Sequence, residues 1–199
     1  MKFAGSYPAL ITPFERGSLD ERSLRKLIRF VLRGGSAGLV PCGSTGEAAT
    51  LRHAEYRRVV EVAVEEARGK VPVIAGVGTN STEKAKETAR AAAALGADAL
   101  LVLAPYYNKP TQEGLFLHFR AVAGSVDLPI VVYNIPGRTA ANIQPKTIAR
   151  MASSCRNIVA VKEASGSLDQ VSEIVCLCPK TFTVLSGDDP LTLPMMRNV

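Results

Sequence analysis

Short apolar runs recur along this chain at intervals of about thirty residues, each followed by a polar turn and then by a longer amphipathic stretch. That alternation constrains the fold more than any other feature. Parallel strands cannot be joined by a hairpin, and the crossover between them is usually a helix. The runs at Ser6–Ile11, Ala37–Pro41, Val71–Ala75, Ala99–Leu103, Pro129–Tyr133, Ile158–Val161 and Thr181–Leu185 read as strands. The stretches at Asp20–Leu32, Ala54–Arg68, Ser81–Leu95, Gln112–Ala123, Pro145–Ala152 and Leu168–Leu177 read as helices. Gly34-Gly35 closes the first helix, and Ser81 or Thr82 caps the third. The turns after the strands are richer in Gly, Thr, Tyr, Asn and Arg than those before them, so the series predicts an α/β fold, a TIM (β/α)₈ barrel with its site on the C-terminal face. A doubly wound open sheet is the second possibility, but no Gly-rich dinucleotide turn follows the first strand. Residues 1–199 read as a single domain that is incomplete, with strand eight and the C-terminal helices absent from these residues. The expectation is a gap between strands seven and one, two unpaired edges, and a poorly soluble chain with little or no activity.

Charge and composition narrow the function. The net charge is +6, yet bases and acids alternate, as in Glu55-Tyr56-Arg57-Arg58 and Glu65-Glu66-Ala67-Arg68. This is a solvated helix face without the aromatic-basic interleaving of a nucleic-acid surface, so no nucleic-acid partner is expected. A mildly positive field suits small anionic substrates. Cys42, Cys155, Cys176 and Cys178 lack metal or redox spacing and read as reduced thiols. The N-terminus is a poor signal peptide, and the longest apolar region, residues 91–105, is too short to span a bilayer, so no membrane partner and a cytoplasmic location are expected. His53 and His118 are the only histidines, too few for a metal-dependent aldolase built on a His cluster.

The segment Asn157–Gly166 is an apolar strand that ends on Lys162, at the end of a parallel sheet where ligands bind. An amine held away from water there has a lowered pKa and attacks carbonyls as a neutral nucleophile; alternatively it snorkels to solvent or pairs with Glu163. Tyr133 ends the preceding strand, where a phenol can shuttle protons to a carbinolamine on Lys162, and Arg138 offers a fork for a carboxylate or else a surface ion pair. Gly43-Ser44-Thr45-Gly46-Glu47 can gather backbone N–H groups and hydroxyls on an anion such as a carboxylate, or serve as a capped turn. Tyr106-Tyr107 places two phenols on a loop, where packing or an interface is the plainer reading. Ser186-Gly187-Asp188-Asp189 follows strand seven, where its acids would repel phosphate and helix capping fits better.

Taken together, residues 43–47, Pro105–Leu115, Tyr133–Thr139, Val161–Gly166 and Ser186–Asp189 resemble the pyruvate-dependent class I aldolases of the dihydrodipicolinate synthase and N-acetylneuraminate lyase family, over essentially the whole chain. The resemblance implies Lys162 as the Schiff-base lysine, Tyr133 as its acid and base, and Ser44 and Thr45 as holders of the pyruvate carboxylate. Ser44 stands where a threonine is more usual, which keeps a hydroxyl for a proton relay through Ser44, Tyr133 and Tyr107. In the family the second tyrosine of the pair enters from a neighbouring subunit, which implies a homodimer or homotetramer. Arg138 implies a carboxylate-bearing aldehyde, and Gly187 a place beside the bound substrate. The implied reaction condenses pyruvate with L-aspartate-4-semialdehyde through an imine on Lys162, on the way to diaminopimelate and lysine, with no metal or organic cofactor. The alternatives are another pyruvate-dependent aldolase acting on sugar acids, and a non-catalytic fragment or binding paralogue. Feedback by lysine in the family involves positions matched by His53, Asn80 and Tyr106. Lys84 and Tyr56 depart from that pattern, so weak or absent lysine inhibition is expected.

Overall fold

The computed structural model describes residues 3–197. Its elements are β1 (Phe14–Glu15), β2 (Ser18–Leu19), α1 (Glu21–Arg33), α2 (His53–Ala67), β3 (Ile74–Val77), α3 (Thr82–Ala94), β4 (Ala99–Leu103), α4 (Gln112–Ala123), β5 (Ile130–Asn134), α5 (Pro136–Thr139), α6 (Pro145–Ser154), β6 (Ile158–Glu163), α7 (Leu168–Leu177), β7 (Thr183–Ser186) and α8 (Thr192–Arg197), with a 3₁₀ turn at Asp189–Leu191. The chain divides into two units, one of Ala4–Gly78 with Glu87–Leu101, the other chiefly of Thr79–Lys86 with the chain from Val102 onward. No helix among the described residues is long and apolar enough to cross a membrane.

In the first unit the two strands expected at Ser6–Ile11 and Ala37–Pro41 are reduced to single parallel bridges, Ala9 with Val40 and Leu39 with Val73. The backbone still runs in register: Val40 N–H donates to Pro8 O at 3.1 Å, Leu39 N–H to Pro72 O at 2.9 Å, and Ile74 N–H to Leu39 O at 2.8 Å. Pro8, Pro41 and Pro72 have no N–H to give, so the ladder is broken wherever a proline falls in it. The segment expected as a loop at residues 12–17 is instead half of a hairpin. β1 and β2 pair antiparallel, and Arg16 and Gly17 between them have φ of 51° and 78°, the left-handed pair that a two-residue turn requires.

Leu24 and Ile28, one helical turn apart, give α1 its buried stripe. The Asp20 carboxylate caps the start by accepting the Ser23 N–H at 3.0 Å, and Gly34 and Gly35 end the helix as expected. An ionic lattice then fastens α1 to α2. Glu66 is nearly buried and takes the Arg29 fork at 2.7 and 2.8 Å as well as Arg25 at 3.0 Å, while Arg58 reaches Glu21 at 2.7 and 2.8 Å. These guanidinium contacts hold the Glu21 and Glu66 carboxyls down to about 2.

The second unit contains the parallel ladder of β5, β6 and β7. Val131, Val132, Ala160 and Val161 are buried, as expected of parallel strands covered on both faces. At the start of β6 the Asn157 amide donates to the carbonyls of Ala123, Val126 and Leu128 at 3.0 to 3.3 Å, which satisfies three carbonyls at the end of α4 and in the turn beyond it. All four residues of β7 are half-buried, in contrast to β5, whose residues are all buried. Among the described residues β7 is paired with β6 alone. α4, α6 and α7 pack in series over this ladder, with Phe119, Ile148, Met151 and Ile174 fully buried.

Candidate active site

β5 and β6 pair so that Tyr133 stands opposite Lys162 and Asn134 opposite Glu163. Side chains alternate faces along a strand, so Tyr133 and Lys162 project to one side and Asn134 and Glu163 to the other. The Lys162 Nζ lies 4.6 Å from the centroid of the Tyr133 ring. Burial pushes the lysine below its ordinary value, and the more distant Asp189 charge opposes that only in part. Of the possibilities the sequence left for Lys162, pairing with Glu163 is excluded. The lysine side chain is half-buried and lies against the Tyr133 ring. It does not pair with Glu163, which is bound by other groups on the far face.

Gly187 explains how a long side chain fits there. A Cβ at this position would lie 3.1 Å from both Cγ and Cε of Lys162 and 2.8 Å from the Ala164 Cβ. The missing side chain is thus clearance for the amine, and the Gly187 N–H is fixed by donation to the Glu163 carbonyl at 2.7 Å. The helix-capping role expected of Asp188 and Asp189 is not found. No side chain caps the 3₁₀ turn at Asp188; the Ser186 hydroxyl instead donates to the Asp188 carbonyl and accepts the Asp188 N–H, and Thr192 donates to it at 3.0 Å. The Asp189 charge favours the protonated form of Lys162, an influence that spacing along the chain does not reveal.

Arg138 lies on α5, a single turn closed by Arg138 and Thr139 N–H bonds to the Ile135 carbonyl at 3.0 and 3.1 Å. Its side chain is exposed and makes no salt bridge among the described residues, so the surface ion pair is excluded. Thr139, buried, ties this turn to Ala141 through its hydroxyl, and its carbonyl accepts the Tyr107 N–H at 3.3 Å. Tyr107 is 85 % exposed with φ of 70°, a conformation that costs a residue with a Cβ about 1 kcal/mol or more. Packing within its own chain therefore does not account for Tyr107.

In the other unit, the Gly43–Glu47 segment is a run of tight turns. The N–H groups of Gly46 and Ala48 return to the Gly43 carbonyl and that of Glu47 to Ser44, while the Thr12 hydroxyl donates to the Gly46 carbonyl at 2.7 Å. Only glycine fits opposite this turn at position 76, where a Cβ would fall 1.9 Å from the Cys42 carbonyl oxygen. Ser44 and Thr45 are exposed, and their hydroxyls have no bonding partner among the described residues.

The positions associated with lysine feedback are placed as follows. His53 is exposed at the start of α2. Asn80 and Asn108 bond each other at 3.5 and 3.4 Å, and Tyr106 is half-buried. Tyr56 is a core residue, 7 % exposed, whose hydroxyl donates to the Gly76 carbonyl at 3.0 Å; Lys84 is exposed.

Known proteins resemble this chain over almost its whole length. Residues 2–198 match the dihydrodipicolinate synthetase family. The chain is 54 % identical over 194 residues to a 4-hydroxy-tetrahydrodipicolinate synthase of Geotalea uraniireducens, covering 98 % of this chain and 67 % of that one. Its structure superposes on the dihydrodipicolinate synthase of Aquifex aeolicus with a TM-score of 0.96 at 49 % identity, again over 98 % and 67 % of the two chains. The chloride-inhibited enzyme of Acinetobacter baumannii complexed with pyruvate superposes with a TM-score of 0.94 at 40 % identity, over 98 % and 67 %. The chain thus spans about two thirds of the length of these relatives, and its fold is TIM-barrel-like α/β. On the match over residues 2–198 and identity at about half of all positions, the chain belongs to the dihydrodipicolinate synthetase family.

Proposed function

We propose that the chain performs the chemistry of a 4-hydroxy-tetrahydrodipicolinate synthase, condensing pyruvate with L-aspartate-4-semialdehyde. The observation that carries this reading is the Lys162 amine, depressed by burial and covered by the Tyr133 ring 4.6 Å away, at the end of β6. A neutral amine is the form that attacks a ketone. Lys162 Nζ bonds to the pyruvate carbonyl carbon, and loss of water from the carbinolamine leaves the imine. Tyr133 is the group beside the amine that can carry the protons of that step. Loss of a methyl proton gives the enamine, which forms a carbon–carbon bond to the aldehyde carbon. The amino group of the second substrate then closes on the imine carbon and releases Lys162 as a free amine.

Ser44 and Thr45, with hydroxyls that have no protein partner among the described residues, are assigned to the pyruvate carboxylate. Tyr107 completes the proton relay in an assembly of two or more copies. Its exposure and left-handed backbone are what a side chain delivered to another subunit needs. Arg138, exposed and without an acid, is assigned to the carboxylate of the aldehyde. Gly187 gives the lysine its room and lies beside the substrate.

The test is pyruvate consumption with aspartate semialdehyde and, separately, with a sugar aldehyde. The semialdehyde should be preferred. Arg138→Ala should raise its KM on the order of tenfold or more, while half-saturation by pyruvate stays nearly constant. Faster consumption with the sugar aldehyde would favour a sugar-acid aldolase instead.

A further inference from the structure

Behind the strands that present Tyr133 and Lys162 lies a second set of polar groups that the chemistry above does not use. Asn134 is 0 % exposed and Glu163 1 % exposed, and they face each other across β5 and β6 on the side away from the amine. The Asn134 amide donates to both carboxylate oxygens of Glu163, at 3.2 and 3.1 Å, and to the Asn142 side-chain oxygen at 2.8 Å. Asn134 Oδ1 accepts the Ile143 N–H at 3.0 Å. Glu163 also accepts the Ser165 N–H at 2.7 Å and the Gln170 amide at 3.1 Å. Gln170 and Asn142 close the circuit with a reciprocal pair of bonds at 2.9 and 3.2 Å.

Two properties set this network apart from ordinary core polarity. Glu163 is a buried carboxylate with no cation beside it among the described residues, and every partner it has is a neutral donor. Such a group is costly to bury, and well-packed apolar residues of the same size would be cheaper. The network also reaches two loops and a helix at once. Ile143 and Asn142 follow Arg138 on the loop after β5, Ser165 lies three residues beyond Lys162, and Gln170 stands on α7. The Gly187 N–H, at the end of β7, is held by the carbonyl of the same Glu163. Each bond therefore fixes the backbone that carries Lys162, Arg138 or the glycine that makes room for the amine.

We propose that Asn134 and Glu163, with Asn142 and Gln170 at the rim, are positioning residues that hold the Schiff-base lysine and the Arg138 loop in one frame. The proposal rests on the functional reading above and adds to it a set of groups that never touch substrate. Their effect is on geometry: a misplacement of the order of 1 Å can cost about a hundredfold in rate.

The experiment is borohydride trapping of pyruvate on Lys162, followed by the rate at saturating pyruvate and by the concentration for half-maximal trapping. Glu163→Gln keeps the shape of the side chain but turns one acceptor into a donor facing donors, so trapping should slow on the order of tenfold or more while half-saturation moves little. The double variant Asn134→Asp with Glu163→Gln exchanges donor and acceptor across the pair. With the Asn142 and Gln170 amides turned over, every bond except the 3.2 Å contact of residue 134 with Oε1 of residue 163 is restored, and trapping should return to within about threefold of the parent rate. Gln170→Leu, on the half-exposed rim, provides the same test if Glu163→Gln does not fold, with a loss in the same direction. An unchanged rate in folded Glu163→Gln or Gln170→Leu overturns the proposal, as does a folded double variant with no recovery. A parent chain that traps no pyruvate overturns the functional reading itself, and so separates the two failures.

Discussion

Lys162 is a group whose function and stability oppose each other. Burial lowers its pKa from 10.5, so an unfolded chain binds a proton there that the folded chain releases earlier. Between the folded value and 10.5 the unfolded state holds more protons, and stability rises with pH; below the folded value the full cost remains. Lys162→Met should therefore melt at a higher temperature than the parent at neutral pH, with the gain fading as pH rises toward 10.5. A lower melting temperature for Lys162→Met at neutral pH would contradict the burial argument. His118 works in the same direction at acid pH. It is buried, its Nδ1 meets the Thr82 hydroxyl at 2.9 Å, its Nε2 has no partner among the described residues, and burial pushes it from 6.5 down to about 4. Stability is full above pH 6.5 and falls as pH drops from there toward 4, by up to about 3 kcal/mol. Thermal melts between pH 7 and 4 should show a shallower loss in His118→Gln; parallel curves would remove this assignment. The roles proposed for Arg138, Ser44 and Thr45 come from the resemblance, while the juxtaposition of Tyr133 and Lys162 was legible in the sequence because both fall at the ends of neighbouring strands. Gly187 as clearance, Asp189 as a charge and Tyr56 as a core residue were not, because those roles arise from neighbours distant along the chain.

At the scale of elements, periodicity recovers what local chemistry specifies. β4, α4 and α7 fall on the residues expected, and the Ser81 hydroxyl accepts the Lys84 N–H at 3.4 Å as the expected cap of α3; the side-chain caps at Asp20, Thr111 and Ser167 follow the same chemistry. The first two strands were overextended because prolines remove donors without disturbing an apolar pattern. The β1–β2 hairpin was missed because its turn is Arg16-Gly17, and an arginine at positive φ is not a turn signal. The ionic lattice between α1 and α2 was read only as a solvated face; its cross-helix geometry needs the packing angle. Glu66→Ala removes the acceptor shared by Arg25 and Arg29 and should cost about 1 to 2 kcal/mol, the exposure of Arg29 limiting the loss. Urea unfolding measures it, and a change below about 0.3 kcal/mol would show the lattice to be decorative.

The whole molecule is two thirds as long as the relatives it resembles. Regulation belongs to this scale. Exposed Lys84 presents a charge of the same sign as a lysine ligand, and Tyr56 is committed to the core, so titration calorimetry with L-lysine should detect no saturable binding below the millimolar range. Tight, saturable binding would mean that Glu83 or another acid supplies the missing contact. The most direct measurement is at Lys162 itself. The chain is incubated with pyruvate and borohydride, digested, and its peptides weighed. One reduced pyruvyl group should appear on the peptide that contains Lys162 and on no other, disappear in Lys162→Ala, and form more slowly in Tyr133→Phe. A pyruvyl adduct that persists in Lys162→Ala, or none on the parent, would contradict the assignment of this lysine as the nucleophile.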